Sequence, residues 1–200
     1  ITVIVLCFGC VILLLQYYDY NTKQLLVKNA EAQGLVARWE MLLSCTKDLI
    51  ISNDLNTALY RWKKAIADFD RSLTNFIQSD VMRSLLHQDA LLRNRVDDTK
   101  NLWEVMRPRI ESVQIRFEEY LSQSNEKSEV SKRSLLHELL YQMEQNSRST
   151  EYVQLFDLTY DIEYMVSSLS GYFLETMNMM VKILHTIMDA KTRQIWIMVY

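Results

Sequence analysis

Arginine and tryptophan are the residues of this chain best suited to hold a ligand. Arg38, Arg61, Arg107 and Arg109 each offer a planar fork of N–H donors that suits a carboxylate. Trp39, Trp62 and Trp103 supply large apolar walls of the kind that line small-molecule pockets. Trp62 and Trp103 stand at nearly equal distances from a polar break around residues 79–86, so an antiparallel hairpin is expected to bring them to one level, with Trp39 within two turns of it. A core filled by three indoles would read identically, and the arginines would equally serve solvated faces or surface ion pairs with Glu40, Glu104 and Glu111. Tyr160, Tyr164 and Tyr172 recur on related turns beside Asp157, Asp161 and Glu163, a pattern open to a polar cavity, a subunit seam or ordinary amphipathic packing. Together Arg38, Trp39, Arg61, Trp62, Trp103, Arg107, Arg109, Tyr160 and Tyr164 form the expected ligand-binding set.

Catalytic and metal chemistry find little support in the spacing. No HExxH, no di-iron ExxH and no phosphate-binding glycine loop occurs. The run Met177-Asn178-Met179-Met180 carries soft thioethers, but consecutive helical residues point in different directions and cannot all face one ion. Cys7 and Cys10 form a lone C-x-x-C inside an apolar run without a second pair. His137-Glu138 has a superficial likeness to a phospho-acceptor helix but lacks the basic residue and proline that should follow; His87 and His185 stand alone. The expectation is a protein that is not an enzyme and holds neither cofactor nor metal.

The elements that position these residues must be helices. Of 200 residues, 49% are hydrophobic and 24% charged, while only three are glycine and one proline, too few turn formers for a sheet fold. A formal charge of −3 and a pI near 5.7 leave no basic surface for nucleic acid. Charge placement is uneven: every charged side chain lies between Asp19 and Arg193. The apolar run at 1–15, followed by Tyr17, Tyr18 and Tyr20, therefore reads as the end of a transmembrane helix with an interfacial aromatic belt, some of the span lying upstream of Ile1. Residues 194–200 read as the start of a second one, leaving 19–193 as an extracytoplasmic domain.

Inside that domain, Leu35, Trp39, Leu42, Thr46 and Leu49 alternate at steps of four and three, and Val36, Leu43 and Ile50 widen the stripe. A second seam runs from Leu155 through Ile162, Leu169, Phe173 and Met180 to Ile187 without a break. Turn and capping residues fall at 52–54, 79–80, 122–128 and 146–151, and Pro108 is expected to kink a helix or start a new one. The expected fold is all-α: an elongated antiparallel arrangement resembling a four-helix bundle, its long first and last helices continuous with transmembrane helices.

This layout, with the first helix running through WEMLLSCTKDLIISNDL, the segment NLWEVMRPRIES and a Tyr/Met-rich last helix entering IWIMVY, resembles the extracytoplasmic sensor region of bacterial transmembrane receptors, the methyl-accepting chemotaxis proteins and sensor histidine kinases. The resemblance implies a homodimer in the bacterial inner membrane, a HAMP linker and an output module beyond Tyr200, and a small molecule or a ligand-loaded binding protein as stimulus. Helix displacement of an ångström or two would carry the signal. The other expectation is a membrane-anchored helical spacer or scaffold that binds protein partners and senses nothing.

Overall fold

A computed structural model describes the backbone of residues 2–125, 134–145 and 149–199, with the side chains of 9–123, 134–145, 149–194 and Ile197. The expected breaks at 122–128 and 146–151 lie partly outside these residues, as do Tyr200 and the side chains of Cys7 and Trp196. All regular structure among the described residues is helical.

Helix α1 spans Thr2–Ile51, and the chain turns where the polar side chains allow it. Ser52 Oγ lies 3.1 Å from both the backbone nitrogen and the carbonyl oxygen of Asp54, and Asp54 Oδ1 accepts from the Thr57 N–H at 3.0 Å, capping α2, Leu55–Gln78. Ser79 caps the short α3, Asp80–Gln88, and Asp89 accepts from the Leu92 N–H at 2.8 Å at the start of α4, Ala90–Asn125. Pro108 neither ends α4 nor begins a new helix. It sits on the exposed face, where its ring meets solvent. Ser134 and Ser149 cap α5, Leu135–Glu144, and α6, Thr150–Ser168, through the N–H groups of His137 and Tyr152. A five-residue π segment, Leu169–Phe173, separates α6 from α7, Leu174–Val199.

Cross-helix contacts fix the register. Trp62 meets Thr46 while Trp39 meets Phe69, so α1 and α2 run antiparallel. Asp70 with Trp103 and Lys63 with Glu118 give the same sense for α2 and α4; Arg116 with Asp161 and Arg109 over Tyr164 give it for α4 and α6. Along one continuous apolar core lie Leu35, Trp39, Leu42 and Leu49 of α1, Phe69 and Phe76 of α2, Phe117 of α4, and Ile162, Phe173 and Met180 of the last helices. Burying each such side chain contributes about 1.5–3 kcal/mol.

Three expectations are corrected here. The membrane spans fail, because no helix among the described residues is long and apolar enough to cross a membrane. Helix α1 continues from the apolar run through Gln16, Asp19, Asn21 and Lys23. An inner-membrane protein with 19–193 outside the cell is thereby overturned. The last seam is also broken, at Leu169–Phe173. Finally, Trp62 and Trp103 do not share a level: α3 takes up nine residues of the hairpin, so Trp103 meets Asp70 instead.

Candidate functional site

The break in the last helix has a local cause. Gly171 disfavours helix more than any residue but proline, and it leaves helical geometry with φ −93° and ψ −113°. Serines precede it. Ser168 Oγ donates to the Tyr164 carbonyl at 2.9 Å and Ser170 Oγ to the Ser167 carbonyl at 3.1 Å, so side chains compete with the backbone ladder on the N-terminal side of the glycine. On the inner side the indole Nε1–H of Trp39, from α1, donates to the Leu169 carbonyl at 3.0 Å in a buried contact. This is the donor that holds the break against α1.

Four rings close around that bond. Trp39 stacks on Phe173 with centroids 3.7 Å apart and planes 9° from parallel. Phe69 of α2 lies 5.0 Å from Trp39 and 4.8 Å from Trp103, and Trp103 of α4 meets Trp39 edge to face at 6.2 Å. Helices α1, α2 and α4 and the segment between α6 and α7 therefore each contribute one ring to a single layer. Such pairs add about 0.5–1.5 kcal/mol each beyond their burial. At its edge Asp70 Oδ1 accepts from Trp103 Nε1 at 2.8 Å and from Arg107.

The expected ligand set is thus divided. Trp39, Trp103 and Arg107 come together, joined by Asp70, Phe69 and Phe173, which the sequence reading did not include. Trp62 stands about 10 Å further along α1, two turns away, where its Nε1–H donates to Thr46 Oγ1 at 2.9 Å. The four arginines engage different neighbours. Exposed Arg38 folds back over Gly34, whose added Cβ would lie 3.1 Å from its Nη1. Arg61 lies near the α1–α2 turn; there hydrogen bonds from Thr57, helped by the Arg61 charge, hold the Asp54 carboxyl below its ordinary pKa. Arg109 stands over the Tyr164 ring at 4.7 Å. Glu104 pairs with Lys100 at 3.7 Å. Tyr160, Tyr164 and Tyr172 are largely exposed on the outer face, and Met177 and Met180 are buried while Met179 is not.

Burial, with Asp48 nearby, pushes the Cys45 thiol pKa up and away from thiolate chemistry. Among the described residues no cluster of three His, Cys, Asp or Glu side chains could hold a metal ion. A groove of about 420 Å³ opens beside the break, lined by residues that include Ser170, Gly171, Leu174, Met179 and Lys182. A smaller one of about 150 Å³ lies between α4 and α6 beside Arg116, Tyr120 and Asp157. There the Tyr120 hydroxyl is buried without a hydrogen-bond partner among the described residues. Burial, with Glu138 and Glu151 nearby, raises its pKa to about 12.

The signal that could have located the site was Ser167-Ser168-Leu169-Ser170-Gly171, three hydroxyls and a glycine inside an apolar seam. Comparison with known families, curated proteins and solved structures gives no match.

Proposed function

We propose that the chain is a sensing module, the input part of a signal-transduction receptor, in which α1, α2, α4 and α6–α7 act as an elongated antiparallel four-helix bundle. A small molecule, or a ligand-loaded binding protein, favours one packing of the helices and shifts the last helix relative to the first, and an output module reads that shift. The reading rests on the bond between Trp39 and Leu169, which ties the segment between α6 and α7 to α1 inside a layer to which α2 and α4 also contribute rings. Events at α2 or α4 therefore bear on α7 through stacked rings rather than through a slack loop.

Thermal melts of the purified chain against organic acids, amino acids and amines test this. A ligand present at a hundred times its Kd stabilises by about 2.7 kcal/mol, a rise in Tm of roughly 5–11 °C for a chain of this size. A screen without any stabilising compound contradicts the reading. One observation favours a second reading, a helical scaffold for protein partners: Val153, Phe156, Tyr160, Tyr164 and Tyr172 lie substantially exposed along the last helices. That alternative expects no small-molecule shift and constitutive assembly into larger complexes.

A further inference from the structure

We infer that Leu169–Phe173 is a two-state joint, alternating between the broken form described above and a continuous α-helix, with the Trp39 indole as its latch. The broken form keeps the Leu169 carbonyl supplied. In a continuous helix that carbonyl receives the N–H of Phe173, four residues on. In the broken form the indole N–H of Trp39 reaches it at 3.0 Å. The indole therefore supplies a buried donor where the regular backbone ladder is disturbed, and the carbonyl is paired in either form.

Packing permits both forms. Ile162, Met165, Leu169, Phe173, Thr176, Met180 and Leu184 are all buried, and their spacing follows the 3.6-residue period of an uninterrupted helix across the break. Straightening therefore keeps the same face inward. Steric freedom points the same way, since a Cβ placed on Gly171 meets no atom within 4 Å and the groove beside it is open. The serine bonds to the Tyr164 and Ser167 carbonyls are of the kind that bends helices, and they impose no covalent or steric lock. At 1.5 Å per residue the 26-residue α7 is about 39 Å long, so each degree of bend moves its far end by about 0.7 Å. A small change at the aromatic layer becomes a larger one at the end of α7.

The joint is tested by spin labels at Glu163→Cys and Lys182→Cys, exposed positions on either side, with Cys7, Cys10 and Cys45 replaced by alanine. Nineteen residues of continuous helix separate such sites by about 28 Å. The wild-type chain is expected to give a main distance shorter than this with a minor population near it. Gly171→Ala, which favours helix without touching a neighbour, should raise the ratio of long to short distances about fivefold. Trp39→Phe, which keeps a ring on Phe173 but removes the donor, should shift the ratio in the same direction. Should Trp39→Phe fail to fold, Gly171→Ala alone decides. A distribution unchanged in Gly171→Ala, or a wild-type chain already at the continuous-helix distance alone, overturns the joint. The measurement needs no ligand, so a blank thermal screen leaves it standing, and its own failure leaves ligand binding untouched.

Discussion

Replacing Thr46 by valine should weaken the fold by about 2 kcal/mol, although the two side chains have nearly the same shape. Thr46 and Trp62 are both fully buried. The Trp62 indole donates to Thr46 Oγ1 at 2.9 Å, and the threonine hydroxyl in turn donates to the Leu42 carbonyl at 2.7 Å. Valine leaves the indole N–H without an acceptor in a dry core, a cost of about 1–3 kcal/mol. The Leu42 carbonyl loses only an extra donor, since it can keep its helical N–H partner, so the indole dominates. With about 2–4 °C of Tm per kcal/mol for a chain of this length, circular dichroism should record a drop of roughly 4–8 °C. Trp62→Phe supplies the control. In that background no indole remains to be orphaned, so Thr46→Val should then cost under about 0.5 kcal/mol. Equal losses in both backgrounds would refute the hydrogen-bond reasoning.

Two other substitutions probe the polar groups. Tyr120→Phe removes a buried hydroxyl without a partner and should leave Tm unchanged or raise it; a loss above about 1 kcal/mol would mean that the hydroxyl is bonded. The same variant carries a pH signature. Because the folded pKa of about 12 exceeds the ordinary 10.0, the folded state holds this proton more tightly, a stabilisation complete below pH 10 and lost as pH rises through 12. Urea titrations of wild type should therefore fall more steeply across that window than those of Tyr120→Phe, and equal slopes would contradict the shift. Asp70→Ala strands the Trp103 indole and should cost about 1–3 kcal/mol, whereas Asp70→Asn keeps an acceptor and gives up only a half-exposed ion pair worth about 0–1 kcal/mol; equal melts for the two would sink the assignment.

Much of the helical frame could be read from local chemistry. Asp54, Ser79 and Ser149 are capping residues in sequence and in structure, and the buried stripe of Leu35, Trp39, Leu42, Thr46 and Leu49 follows its heptad steps. What stayed hidden depends on tertiary register or on competition between two local preferences. The break at Gly171 was masked because the apolar positions around it keep the period of an intact helix, which outweighed the local signal of three serines and a glycine. Asp70 drew no attention because its partners, Trp103 and Arg107, come from a different helix. The level of Trp103 was misjudged because α3 consumes residues that a simple hairpin would not. The membrane expectation treated the apolar run at 1–15 as part of a longer span, whereas α1 carries on from it through polar and charged residues.

Displacement of α7 against α1 is the quantity on which the sensing proposal turns. Spin labels at Ala37→Cys of α1 and Lys182→Cys of α7, both exposed, report that spacing with and without the compound that raises Tm most. A ligand-dependent change of about one to two ångströms or more is expected of a module that relays a signal through its last helix. An identical distance distribution in the free and saturated protein would contradict it.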